Sequence, residues 1–325
     1  MKKVTIIEIA KECGVSKTTV GDALNPNKSF RVSEKTRDKI VAAAKRLEYV
    51  PNQPAKMLRS KKTNVIGVML PDPSNSFYGE IILKLQKKLT GCGYTAFFVF
   101  WNDLDDVEAM NKALRSLSAL RVDGIVTAEL PGVHLKKSNI PVVFWQNAPD
   151  IFDSVSNLDS IKTGYQELIK KLMEKSCRKF AILSPNPREG RSAQVFESLK
   201  DAGLEPVAEY LEVASTQATA QEAMKRLLKL KTPPDVILAN NDMLAMSAMA
   251  EAIRSGIKVP DEMKFVGFDG TKEAEFTYPA LTTFKVDVDD VVDKLLELLF
   301  RRIKDNNATP LKVPTEPELI IRNST

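Results

Sequence analysis

The ten residues Val15–Leu24, VSKTTVGDAL, leave little choice of local structure. Ser16 is suited to cap a helix, because its hydroxyl can accept from the free amides of the first turn. Val15 before it and Val20 after it can form a hydrophobic staple. At helical spacing Val20, Ala23 and Leu24 share one face, and Lys17, Thr18, Gly21 and Asp22 share the opposite one. That second face is small and polar. It suits a DNA major groove, where it would present hydrogen-bonding groups to base edges.

A shorter helix precedes this one. Thr5–Glu8 fits the capping box T-x-x-E, with Ile6, Ile9 and Ala10 as an apolar face. Gly14 supplies the break between the two helices, so the pair reads as a helix-turn-helix. A third helix is expected after Ser33, with Ile40, Val41, Ala44 and Leu47 as its stripe and Tyr49 at its end. Asn25–Arg31 reads as a polar loop with Arg31 placed for phosphates. The competing reading of 1–50 is a small helical bundle with a solvated polar face.

Charge separates these alternatives. The net charge of the 325 residues is +5. Residues 1–62 hold 15 Lys and Arg against 6 Asp and Glu, whereas the rest holds 32 against 36. The basic end suits a polyanion and the acidic body does not. Residues 51–62, PNQPAKMLRSKK, form a basic linker that includes an unexpected Leu58. It is too short for a stable isolated helix in water. It can fold on DNA with Leu58 wedged between base steps, or Leu58 can pack on the domain that follows.

From Thr63 onward apolar runs alternate with amphipathic stretches. Strands are expected at Val65–Leu70, Tyr94–Phe100, Gly124–Thr127, Val142–Trp145, Ser154–Asn157, Phe180–Ser184, Val236–Ala239, Phe265–Phe268 and Thr282–Val286. Helices are expected at Tyr78–Leu89, Val107–Leu117, Thr163–Glu174, Gln194–Ala202, Ala220–Leu230 and Leu244–Ser255. The alternation implies parallel sheets covered by helices on both faces, in two Rossmann-like lobes.

Other classes lose ground. No apolar run reaches membrane-span length, and Glu8, Lys11 and Glu12 interrupt any signal-peptide core. A cytoplasmic protein that does not engage membranes is expected. Three scattered cysteines, Cys13, Cys92 and Cys177, read as free thiols. His134 is the only histidine, which removes most His-based acid–base and metal schemes. There is no G-x-G-x-x-G or Walker-type phosphate loop. Neither an enzyme, a cofactor nor a metal is expected.

Residues 5–25, TIIEIAKECGVSKTTVGDALN, followed by 31–68, RVSEKTRDKIVAAAKRLEYVPNQPAKMLRSKKTNVIGV, resemble the headpiece, hinge and first core strand of the lactose/galactose repressor (LacI/GalR) family. The pieces that carry it are Ala10, Gly14-Val15-Ser16, Thr19-Val20, Leu24-Asn25, Val32-Ser33, Thr36-Arg37, Tyr49-Val50-Pro51-Asn52 and Leu58. The resemblance runs on through the chain. It implies a small all-α helix-turn-helix headpiece (1–50), a hinge (51–62) and an α/β core (63–325) of the type I periplasmic-binding-protein-like fold. Crossovers near Asp159–Lys162, Lys285–Asp287 and Val313–Thr315 would give one lobe of 63–160 and 286–312, and another of 161–285 and 313–325.

The implied activity is that of a homodimeric transcriptional repressor. It would bind a pseudo-palindromic double-stranded operator and respond to a small-molecule effector, a sugar or sugar-phosphate by resemblance. A protein corepressor, or no effector, is the alternative; a solute-binding protein would not explain the headpiece. DNA contacts are expected from Thr5, Ile6, Ser16, Lys17, Thr18, Gly21, Asp22, Asn25, Arg31, Thr36, Tyr49, Asn52, Ala55, Lys56 and Leu58. Gly21-Asp22 departs from the family's Ser-Arg. Asp22 can accept from cytosine or stand solvated, leaving Lys17 and Thr18 to read bases.

Effector contacts are expected from the ends of the core strands, where ligands of open α/β sheets bind. The candidates are Asn75, Phe77, Tyr78, Trp145, Gln146, Asp159, Arg191, Asn241, Asp242 and Asp269. Each has a plainer reading: core aromatics for Phe77, Tyr78 and Trp145, a surface cation for Arg191, helix caps for Asn241 and Asp242, a turn for Asp269. Gln146, Gly270 and Val286 replace polar or acidic family residues, so a less polar cleft is expected.

Overall fold

The computed structural model describes residues 4–25, 28–49, 62–71, 73–101, 107–128, 130, 139–146, 148–185, 189–210 and 216–325. Two compact units are present, Met1–Thr63 and Asn64–Thr325. The hinge expectations, including those for Asn52, Ala55, Lys56 and Leu58, lie outside the described residues, as does His134.

The first unit is built from α1 (Ile6–Cys13), α2 (Lys17–Ala23) and α3 (Glu34–Arg46). Gly14 closes α1 in the left-handed region at φ 67°, and Ser16 caps α2. Ile9, Val20 and Ile40 have no exposed surface and meet among Ala10, Cys13, Ala23, Ala43 and Ala44. One expectation is corrected here. Val41 is 46% exposed, because the buried stripe runs through Ile40, Ala43 and Ala44, and a residue 100° around the helix leaves it. Tyr49 also lies beyond the helix, which stops at Arg46; its amide folds back to the Ala44 carbonyl at 2.9 Å.

The second unit holds two six-stranded sheets. The first comprises β1 (Val65–Pro71), β2 (Thr95–Trp101), β3 (Gly124–Ala128), β4 (Val142–Trp145), β5 (Asp153–Ser156) and β11 (Lys312–Pro314), ordered 2-1-3-4-5-11. The second comprises β6 (Phe180–Leu183), β7 (Ala208–Tyr210), β8 (Val236–Ala239), β9 (Lys264–Asp269), β10 (Thr282–Lys285) and β12 (Glu318–Ile320), ordered 7-6-8-9-10-12. Every pairing is parallel except that of β12 with β10. The strands β3, β4, β6 and β8 are buried along their whole length, as expected of sheets covered on both faces.

The connecting helices are α4 (Ser76–Gly91), α5 (Val107–Ala119), α6 (Leu158–Glu174), α7 (Gly190–Asp201), α8 (Gln217–Leu228), α9 (Asp242–Arg254), α10 (Lys272–Phe276) and α11 (Val288–Lys304). In both sheets the strand order reverses at the first strand, between β1 and β3 and between β6 and β8. Such switch points open crevices at the carboxyl ends of the strands.

The last crossover lies later than expected. Val313 and Pro314 pair with Val155 and Ser156, so they belong to the first sheet; the chain crosses between Pro314 and Glu318. Asp153 draws this strand to the sheet. Its buried carboxylate accepts from the Leu311 amide at 2.5 Å and from Arg301 and Arg302 of α11.

Candidate functional site

The headpiece presents a polar face. Thr5 donates its amide to Glu8 Oε2 at 2.6 Å, and Ser16 Oγ accepts the Thr19 amide at 3.0 Å. The two helix starts are thus held by their own side chains. Beyond the Ser16 cap, Lys17 and Thr18 are exposed, and Gly21 and Asp22 are half-exposed. Lys17 has no ion-pair partner among the described residues, in contrast to Arg46, which pairs with Glu12, and Lys39, which donates to the Cys13 carbonyl at 3.1 Å. A cation tied to its own fold positions helices; an untied one is available to phosphate or guanine.

The other headpiece candidates divide. Ile6 and Tyr49 are half-buried against the headpiece core. Thr36 accepts from Ser33 Oγ at 2.9 Å, beside the start of α3. Asn25 is half-buried. Arg31 ends a single 3-10 turn, Ser29–Arg31, where an irregular polar loop was expected. Its guanidinium lies 5.7 Å from the centroid of Phe30, which is 79% exposed. Phe30 was not anticipated, and a phenylalanine in a polar loop was the signal available.

In the core, the strand ends carry a second group of candidates. Arg191, on the first turn of α7, places its guanidinium 3.5 Å from the centroid of Phe268. Its Nη1 donates to the Asn240 carbonyl at 2.6 Å and lies 3.5 Å from Asp269 Oδ1. A cation at a helix start is disfavoured by the dipole; the aromatic face and the carbonyl offset that here. Asp269 stands at φ 113°, unusual for a non-glycine residue. Burial pushes its carboxyl up to about 8, against the pull of Arg191 and of a hydrogen bond from Asn75.

That Asn75 contact joins the loop after β1 to the end of β9. Beside it Ser76 Oγ donates to Glu273 Oε2 at 3.0 Å. Asn75 also caps α4, accepting the Phe77 amide at 3.0 Å. Phe77 is buried, with Tyr78 edge-on at 5.5 Å and Trp145 at 6.5 Å. Trp145 is itself only 1% exposed. Phe77 and Trp145 therefore take the core reading.

Other candidates have partners within the fold. Asn241 Oδ1 accepts the Leu244 amide at 2.9 Å and caps α9. Asp242 has no exposed surface; it accepts from Thr283 Oγ1 at 2.6 Å and from the Thr271 amide and hydroxyl at 2.7 and 3.0 Å. Burial raises its carboxyl to about 6 even so. Asp159 is exposed on α6, where its charge acts on Lys312. The buried polar residue of that strand end is instead Asn157, which was not singled out.

The departures at Gly270 and Val286 have local reasons. Gly270 sits at φ 72°, and a Cβ there would fall 2.5 Å from Lys285 Cα, so only glycine fits. Val286 is buried in the core. Gln146 takes a positive φ of 74°, its amide donates to the Val155 carbonyl at 2.8 Å, and its side-chain Nε2 and Oε1 are buried without partners. Trp101, Ser192 and Phe268 also stand at these strand ends and were missed. Trp101 and Phe268 lie in apolar runs that read simply as core.

Comparison with known proteins agrees with both halves. Residues 5–52 match the model of bacterial regulatory proteins of the lacI family, and residues 169–325 match a periplasmic binding protein-like domain. The HTH-type transcriptional regulator DegA of Bacillus subtilis is 30% identical over 338 residues, covering 99% of this chain and 98% of that protein. The HTH-type transcriptional repressor PurR of Mannheimia succiniciproducens is 28% identical, covering 98% of each. A crystal structure of the lac repressor dimer bound to operator and the anti-inducer ONPF superposes with a TM-score of 0.84 at 24% identity, covering 100% of this chain and 99% of that one.

Proposed function

The chain belongs to the lacI family of bacterial regulatory proteins, and from that premise we propose that it represses transcription by binding a specific DNA operator. The observation that carries this reading is the face of α2 beyond the Ser16 cap, where Lys17 and Thr18 stand exposed and untied while Val20 and Ala23 anchor the helix to the headpiece core. Lys17, Thr18 and Asp22 read base edges; Thr5, Ile6, Ser16, Asn25, Arg31, Thr36 and Tyr49 set the headpiece on the backbone. The protein works in the cytoplasm as a homodimer, so that two headpieces meet two half-sites of a pseudo-palindrome. It performs no catalysis.

The core binds a small-molecule effector at the strand ends, between Asn75 and Tyr78 of the first lobe and Arg191 and Asp269 of the second. A ligand seated there favours one separation of the lobes and so shifts the population able to bind DNA. Sugars are the leading class: the similar lac repressor was crystallised with ONPG, and a similar protein from Alkaliphilus metalliredigens was crystallised with D-xylulofuranose.

The test is selection. Full-length protein is incubated with a random duplex pool at near-physiological salt, and the retained DNA is sequenced. A two-fold-symmetric motif is the expected result, with the bases under Lys17 randomised in Lys17→Ala. Retention without a shared motif would reduce the headpiece to a charge-driven binder and sink the operator reading.

A further inference from the structure

Among the described residues of the headpiece, the most exposed large apolar side chain is Phe30, at 79% against 53% for Ile7 and 46% for Val41. Singly exposed apolar side chains are common on protein surfaces and need no role. The setting of this one is particular. It stands in a basic run, Lys28-Ser29-Phe30-Arg31, in which both cations are exposed. Neither has an ion-pair partner among the described residues, whereas Arg37 pairs with Glu34 and Asp38, and Arg46 with Glu12.

The turn that carries Phe30 is tied to both neighbouring helices. Backbone hydrogen bonds step from α2 towards α3. The Asn25 amide donates to the Asp22 carbonyl at 3.2 Å and the Lys28 amide to the Asn25 carbonyl at 2.9 Å. The Arg31 amide donates to the Lys28 carbonyl at 2.9 Å and the Val32 amide to the Ser29 carbonyl at 3.1 Å. Val32 then packs against the headpiece core. Phe30 and Arg31 are thus built onto the end of the helix that carries Lys17, Thr18 and Asp22.

The Arg31 guanidinium lies over the Phe30 ring, with Cζ 5.7 Å from its centroid. A guanidinium offers two kinds of surface. Its face stacks on a ring, and its edge carries the N–H groups that fork onto phosphate. One group can therefore serve a ring and a phosphate together. A long side chain loses rotamer freedom when it binds, and a ring that already restrains it reduces that loss.

We propose that Phe30 is a positioning residue of the DNA contact, whose ring supports one face of the Arg31 guanidinium so that its edge meets a backbone phosphate. This rests on the operator reading above and adds an apolar residue to a surface otherwise chosen for its polar groups.

The test is the binding of duplex DNA, over a range of salt, by full-length Phe30→Ala, Arg31→Ala, the double variant and Phe30→Tyr. Phe30 carries no charge, so its removal changes the salt dependence only through another group. Phe30→Ala should bind about fivefold more weakly, and its log–log salt slope should be shallower by up to about one. Both changes should vanish in the Arg31→Ala background. Phe30→Tyr should bind as wild type does, and the headpiece should melt at the wild-type temperature in every Phe30 variant. Wild-type affinity in Phe30→Ala, or a loss with the wild-type salt slope, overturns the proposal. So does a headpiece that melts clearly lower in Phe30→Ala, which would make the ring part of the scaffold. A phosphate contact carries no base information, so these differences are measured on the random pool as well as on a selected site. Selection without a shared motif then sinks the operator reading alone and still decides the role of Phe30, while wild-type protein that retains no duplex sinks both.

Discussion

The guanidinium of Arg191 lies over the ring of Phe268, 3.5 Å from its centroid, while Nη1 of the same group holds the Asn240 carbonyl at 2.6 Å. One side chain thus ties the end of β9 to the end of β8. Lysine carries the charge but has neither the flat face nor the fork. Arg191→Lys should weaken the effector response by about tenfold, the worth of a desolvated stacking contact. Operator affinity of the ligand-free protein should stay within about twofold of wild type. Effector titrations of operator occupancy measure both, and an unchanged effector midpoint would remove Arg191 from the site.

Asp269 and Asp242 make stability depend on pH with an unusual sign. Both carboxyls are held above their ordinary value of 3.8, Asp269 at about 8 and Asp242 at about 6, chiefly by burial. The folded chain therefore binds more protons than the unfolded chain across that window. Their contribution is complete below about pH 4 and is lost as pH rises through about 6 and then about 8. Urea midpoints should fall from pH 5 to pH 8.5, and Asp269→Asn should flatten the upper part of that fall. A variant with the wild-type slope would show that Asp269 does not carry it.

Gly21 is not required by the fold. A Cβ there would meet only Ile6 Cδ1, at an ordinary 3.8 Å, and the residue lies within the helix α2. Gly21→Ala should stabilise the headpiece by up to about 1 kcal/mol. If the missing methyl serves close approach to DNA, operator affinity falls while the headpiece melts higher. Parallel gains in both measurements would leave Gly21 without a role at the groove.

Asp153 has no exposed surface and takes Arg301, Arg302 and the Leu311 amide together. Asp153→Ala leaves Arg302 buried and uncompensated, and it frees β11 from the sheet. A loss of about 3–5 kcal/mol is expected in the core transition. The headpiece transition, belonging to a separate compact unit, should not move. Denaturation followed by probes in each unit distinguishes them.

The helix-turn-helix was legible because its determinants are neighbours in the chain: the Ser16 hydroxyl and the Thr19 amide are three residues apart, and Gly14 needs only its own dihedral freedom. The alternation of strands and helices was legible for the same reason, since an amphipathic or wholly apolar period reports one element's surroundings. Which groups meet at the ends of the core strands was not. Arg191 and Asp269 are 78 residues apart, and Ser76 and Glu273 are 197 apart. Asp159 was the candidate after β5 and is solvated, whereas Asn157, which is buried, was not singled out. The edge strand β11 has a three-residue run too short to show a period, and its place follows from Asp153 more than 150 residues away. Local hydrogen bonds and side-chain periodicity thus define the elements from the chain alone. Which polar groups share a cleft, and which are left there without a partner, depends on contacts between distant segments that exist once the two sheets have packed.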